Sequence, residues 1–329
     1  MIHFVLLVVC IAAIYLSCEW FVNAVEWLGQ RLHIGKMAVG TILAAIGTAL
    51  PESVVTLMAV TTGHTEDMKD IGIGAALGGP LALSTIACGV VGITMLVTRK
   101  GAPNARKPGE FKALAKDQRW FLPLFVAASA LGLVAFTGKR WLGLVFFAAY
   151  VVYFTRELRN KDGGRPTGME PLRFQPKAQS PSTWAIVAQT LVTVAVIFTA
   201  SQFFVQQLDA VGPMLGLPAG VTALLLSPIA TELPETLNGI IWVRQGKTPL
   251  ALGNIAGSMI IQTTIPAGIA MLFTPWALSP ALLWSCVITA VSIGYLLIMT
   301  SLGRLTAWRL AVVMGLYVVF AVGLWVILR

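Results

Sequence analysis

Charged residues are scarce in this 329-residue chain, 11% against 57% hydrophobic. A soluble surface ordinarily carries about 25%, so the composition excludes a water-exposed globular protein. Histidine is nearly absent, and His3, His33 and His64 are too scattered to form a zinc signature. The four cysteines, Cys10, Cys18, Cys88 and Cys286, lack metal-ligand spacing and read as small apolar packing residues. Neither a nucleophile with a base nor a His-Glu-xxx-xxx-His element occurs, so nothing points to an enzyme or to a resident cofactor.

Long, unbroken apolar runs are what the chain has in their place. Spanning helices need roughly 20 apolar residues, whereas transmembrane strands show alternating segments of about 10. The expected fold is therefore an all-α integral membrane protein. Ten spans are expected, at about 3–25, 37–62, 70–97, 119–137, 140–156, 183–207, 217–243, 248–273, 278–301 and 306–328. The first run has no positive n-region and no small-residue cleavage site before Glu19, so it reads as a retained span. Two longer connections, 99–118 and 157–182, are rich in Lys, Arg, Pro and Gly. The second, interrupted at Pro166, Pro171, Pro176 and Pro181, is expected to be a flexible cytoplasmic linker between a first half, 1–156, and a second, 183–329.

With ten spans, 19 of the 23 basic residues fall on one side; Lys69, Lys139, Arg140 and Arg329 are left on the other. Cytoplasmic loops collect Lys and Arg. Both termini are thus expected outside a plasma (inner) membrane, and the net charge of +9 needs no nucleic-acid partner. The expected partners are the bilayer and inorganic cations.

Glu52 and Glu235 stand in matching places of a repeated pattern, Gly-Thr-Ala-Leu-Pro-Glu at 47–52 and Ala-Thr-Glu-Leu-Pro-Glu at 230–235. A carboxylate inside a span marks a functional site by default. The repeat extends to Gly74–Gly79 and Gly253–Ser258, giving units of about 37–97 and 217–273. Five helices per half is an odd number, so the halves must enter the membrane in opposite senses. Pro51 and Pro234 lack the N–H that would satisfy the carbonyls of Gly47 and Ala230. Thr48 and Glu52 lie four apart on one helix face, as do Ser227, Thr231 and Glu235. Carboxylate, hydroxyl and loosened carbonyl form an all-oxygen set that suits hard cations such as calcium. Gly74-xxx-Gly78 and Gly253-xxx-Gly257 are small-xxx-small patterns that let helices approach closely.

These paired motifs, with Gly-Asn-xxx-xxx-Gly-Ser at 253–258, resemble the α-repeats of the calcium/cation antiporter superfamily, most closely its prokaryotic sodium/calcium exchanger branch. The resemblance covers essentially the whole chain. It implies two inverted five-helix repeats and exchange of calcium for sodium by alternating access. Glu52 and Glu235 would be the central ligands, supported by Thr48, Thr231 and Ser258.

The departures from the family pattern lie mostly in the first repeat. Its usual polar places are Ala75, Gly79 and Pro80, and a further ligand place is Leu83. The second repeat keeps Asn254 and Ser258, with Gln262 where an acidic or amide residue often sits. Glu232 matches Ala49, where the family commonly has Ser. Three residues from Glu235, it is either a third carboxylate that exchanges a proton or a glutamate held by backbone or Gln262. The first choice would make the chain a divalent cation/proton exchanger. A cation channel is a further alternative, disfavoured by proline-broken inverted repeats. Glu19 and Glu26 read mainly as interfacial or capping residues, Gln189, Gln202, Gln206 and Gln207 either line an access route or pair with other helices, and Asn238 reads as a support for Glu235.

Overall fold

The computed structural model describes residues 2–62, 66–99, 108–159, 169–214 and 225–327, and every regular element among them is helical. Helix α1 is Ile2–Arg31. Rod α2 joins Lys36–Ala38, a π-helical stretch Val39–Ala44, and Ala45–Thr62. Rod α3 joins Glu66–Ala82, a π-helical Leu83–Ala87, and Cys88–Thr98. Helix α4 is Pro108–Leu131, α5 is Lys139–Arg159 and α6 is Thr183–Met214. Rod α7 is split into Ser227–Thr231 and Leu233–Arg244. Then come α8, Thr248–Phe273, α9, Pro280–Ser301, and α10, Ala307–Ile327. Among the described residues seven of these helices are long and apolar enough to cross a membrane, which makes this an all-α, multi-pass membrane protein. Of the other three, α2 shows a shorter apolar stretch, Val39–Ala49, α7 is divided into two short pieces, and α4 begins with a charged segment.

Helix α8 is the axis of the bundle. It is buried along most of its length and packs against α2, α3, α4, α5 and α7; its all-round apolar character is that of a helix enclosed on every side. Glycines set its distance from α2. A Cβ on Gly257 would run into the Thr41 backbone, and one on Gly40 would lie 2.8 Å from Leu250 O. On the far side Gly78 of α3 meets Pro228 of α7 at 3.0 Å. The two copies of the sequence repeat therefore cross each other, α2 against α8 and α3 against α7, as small-residue helix contacts in lipid require.

Two regions depart from the sequence expectation. Helix α4 begins at Pro108, about three turns before the expected 119, because the charged stretch 108–118 is amphipathic and buries Leu114, Ala115, Asp117 and Gln118. The expected flexible linker is, over 169–182, a docked strap. Asn23 of α1 donates to Glu170 O at 3.1 Å, and Trp27 donates to the same oxygen at 2.9 Å. Gln189 of α6 accepts from Phe174 N at 2.8 Å and donates to Trp20 O at 2.8 Å and Asn23 Oδ1 at 3.1 Å. Leu172 is fully buried between Ala24 and Ile186. The strap ties α1 to α6 through hydrogen bonds that a proline count does not reveal. Residues 160–168 lie outside the described residues.

Glu26 is buried at one end of α1 and takes Lys247 at 2.6 Å and Trp242 Nε1 at 2.9 Å. Its charge is compensated, so it is a tie between α1 and the α7–α8 connection. Glu19 makes no such tie and is half-buried.

Gly257→Ala should push α2 from α8, since the clash is with backbone that no rotamer relieves. The expected cost is about 1–3 kcal/mol, read as a lower unfolding midpoint of the detergent-solubilised protein; an unchanged midpoint would disprove the crossing.

Candidate cation site

The site forms where α7 breaks. Its helix stops at Thr231 and resumes at Leu233, with Glu232 at φ −87°, ψ 9° between them. Pro234 supplies the cause, because it has no N–H for the turn that would include Ala230. In α2 the matching proline does not break the helix: Ala45–Thr62 runs on through Pro51, and the irregularity lies upstream, in the π-helical Val39–Ala44. The expected loosening is therefore visible in the second repeat and not in the first. Such π-helical stretches often accompany functional sites.

Glu235 is fully buried. Ser258 on α8 donates to its Oε1 at 3.4 Å, and the Thr48 hydroxyl of α2 also faces the carboxylate. That hydroxyl donates along its own helix to Ala44 O at 3.1 Å, so its lone pairs are left for a ligand. Glu235 Oε2 has no partner among the described residues, nor does any side-chain polar atom of Asn238 or Asn254, both fully buried. Buried polar groups are normally paired. A buried carboxylate with one oxygen unpaired, no Lys or Arg engaging it among the described residues, and further unpaired buried amides on its own helix and on α8 make this the candidate place for a hard cation.

Glu232, 1% exposed, lies beside it. Gln262 Nε2 of α8 donates to Glu232 Oε1 at 2.8 Å, while Glu232 Oε2 and Gln262 Oε1 stay unpaired. Gly79 of α3 makes the room: a Cβ there would sit 2.6 Å from Glu232 Oε1. The glycine in a usually polar place of the first repeat is thus matched to the extra carboxylate of the second. Pro80 lies inside the helix and Leu83 opens the π-helical stretch, fully buried.

Of the residues singled out from the sequence, Thr48, Glu232, Glu235, Ser258 and Gln262 come together here, and Asn254 lies one turn before Ser258 on α8. Thr231 is half-buried and its hydroxyl donates to Pro228 O at 3.2 Å, next to Glu232. Gly47 packs under the Phe21 ring of α1, where a would-be Cβ would lie 2.5 Å from Cζ, and Ala230 is buried at the helix break. Glu52 lies on α2, but its side chain, like that of Ala75, lies outside the described residues. Thr56 was not foreseen: it is fully buried with its hydroxyl unpaired. The signal was its spacing, since 48, 52 and 56 fall on one helical face. Among the described residues no three His, Cys, Asp or Glu side chains gather as for a transition metal.

A sequence profile described as sodium/calcium exchanger protein matches residues 2–157 and 185–326. The chain belongs to that family. Exchangers of this kind are cation antiporters, not enzymes. This exchanger is 25% identical over 297 residues to the putative antiporter CaxA of Alkalimonas amylolytica, covering 88% of this chain and 87% of the relative. It is 23% identical to the sodium/calcium exchanger MaX1 of Methanosarcina acetivorans, covering 99% of each. A solved structure of the sodium-calcium exchanger NCX_Mj, soaked with Na+ and Ca2+, superposes with a TM-score of 0.75 at 18% identity over 97% of both chains. That likeness establishes the fold.

Gly79→Ala should leave the exchanger folded, because the atoms it meets are the ends of flexible side chains. It should displace Glu232 and Gln262 and weaken cation binding by about tenfold, or 1.4 kcal/mol. Isothermal titration with calcium and with sodium checks this, and wild-type affinities would separate Gly79 from the site.

Proposed function

We propose that this exchanger moves calcium against sodium by alternating access, with Glu52 and Glu235 as its central ligands. The observation that carries the reading is Glu235 itself. It is a fully buried carboxylate with one oxygen unpaired, faced by the Thr48 and Ser258 hydroxyls, while the buried amides of Asn238, on the same helix, and Asn254, one turn before Ser258, are unpaired among the described residues. Calcium takes roughly six to eight such oxygens in a flexible cage. Glu52, at the matching place of the repeat, supplies the second carboxylate, and Thr56 a hydroxyl one turn on.

The proposed architecture is ten membrane-spanning rods in two inverted halves, 1–156 and 183–329, joined by 157–182. Here α2, α4 and α7 cross the membrane despite their polar residues, with Thr48, Thr56, Asp117, Gln118, Glu232 and Glu235 buried in the protein. The proposed orientation puts the basic loops in the cytoplasm and both termini outside the plasma (inner) membrane.

The names of the relatives speak for sodium as the coupling ion, and Glu232 is the residue that tests a proton in its place. Proteoliposomes loaded for calcium, magnesium, manganese, sodium or potassium uptake, driven in turn by sodium and pH gradients, decide the ions. Glu52→Gln and Glu235→Gln should each abolish cation-dependent flux; full activity in either would sink the site. Under sodium coupling, Glu232→Gln should alter cation affinity and leave sodium dependence in place. Loss of a pH-driven component in that variant would instead establish proton coupling.

A further inference from the structure

On a different face of α8 from Asn254 and Ser258, a cavity of ≈ 20 Å³ is walled by Leu252, Ile255, Ala256 and Met259 and by apolar residues of α9 and α10. Its polar edge is Asp117 and Gln118 of α4, 2% and 5% exposed. Tyr153 of α5 donates to Asp117 Oδ1 at 3.1 Å. Asp117 Oδ2 and Gln118 Oε1, both bordering the cavity, have no partner among the described residues.

The charged neighbours do not compensate Asp117. Lys116 is engaged by Glu157 in an ion pair, Arg119 reaches toward Ser301, and Arg156 lies over the Trp120 ring. From α3 the cavity receives the Cys88 thiol; α8, α9 and α10 present only apolar side chains to it. Glu157 adds negative charge nearby. An ionised carboxylate here would be buried with no cation of its own, because the adjacent Lys116 is held by Glu157, and its lost hydration would go largely uncompensated. The cavity has room for about one water-sized particle. Two oxygens are too few for calcium, which takes about six to eight, whereas a proton needs one.

We propose that Asp117 is a neutral carboxylic acid, a proton-binding site separate from the cation site, whose ionisation from the basic face of the bundle disturbs the seating of α8. The proton resides on Oδ2, where no acceptor competes within the helix, and Tyr153 fixes the other oxygen. Leu252, Ile255, Ala256 and Met259 share a helix with Asn254, Ser258 and Gln262. A charge appearing behind α8 thus bears on the element that carries half the proposed ligands.

Infrared difference spectra of the full-length protein, wild type against Asp117→Asn, test the proton directly. A protonated carboxylic C=O band should be present at neutral pH in the wild type, missing from D117N, and lost as pH rises. Tyr153→Phe, which keeps the acid but removes its donor, should carry the band to higher pH. Flux into proteoliposomes, with pH varied on the basic side alone, tests the coupling: wild-type transport should fall on the alkaline side, and D117N should lose that fall. Absence of a band assignable to Asp117, or superimposable pH profiles for wild type and D117N, would overturn the proposal.

Discussion

The structure depends on keeping carboxylates inside an apolar bundle without basic partners. Glu235 and Glu232 are 0% and 1% exposed, and the ion pairs recorded among the described residues all lie elsewhere, at Glu26, Glu157 and Glu170. An ion moved out of water costs several kcal/mol even after relaxation. Donors such as the Ser258 hydroxyl offset part of that cost, and in the proposed exchange a cation supplies the rest. The glycine crossings follow from the same need, because only close approach of α2 and α8 brings Thr48 and Ser258 to one carboxylate. Side chains at Gly40 or Gly257 would hold them apart.

Much of this was legible in the sequence because the signals were of the strongest kinds. A 26-residue helix of nearly uniform apolarity, Thr248–Phe273, coincides with its expected bounds. The Gly-xxx-Gly spacing and the repeated Leu-Pro-Glu pattern pointed to helices in contact, and Gly253 and Gly257 do meet α2. Hydropathy misjudged the start of α4 because it averages over a turn: Lys112, Lys116 and Arg119 hid a buried row of Leu114, Ala115, Asp117 and Gln118. The strap at 169–182 was illegible for another reason. Its order comes from Asn23 and Trp27, far away in sequence, and from Gln189 of α6, whose side chains satisfy its backbone. Proline frequency reports the absence of helix, not the absence of structure.

The two halves match in sequence more closely than in structure. Leu-Pro-Glu occurs in both, yet the helix breaks at Glu232 and runs on through Pro51. Proline withdraws one donor in either case; what differs is the residue two places before it. In α7 that residue is Glu232, held by Gln262 across the gap beside Gly79, so a side-chain bond to α8 anchors the irregular turn. In α2 it is Ala49, fully buried against Ile261, which favours a continuous helix.

That asymmetry concentrates negative charge on one side of the proposed site. Two carboxylates three residues apart in low dielectric repel each other and each pays its own desolvation, so the vacant site is the costliest state to enclose. An antiporter must not reorient empty, or the downhill ion leaks without driving its partner. While both are ionised, a bare pair at Glu232 and Glu235 makes the occluded, empty conformation expensive by the desolvation of two charges, several kcal/mol each; bound cations remove that penalty, and so would protons, which is why Glu232 is the residue that separates the two couplings. In the proposed exchange, therefore, the coupling needs no separate gate to enforce it. In that proposal the burial that would make Glu235 a good ligand would also make reorientation of the empty, ionised site rare.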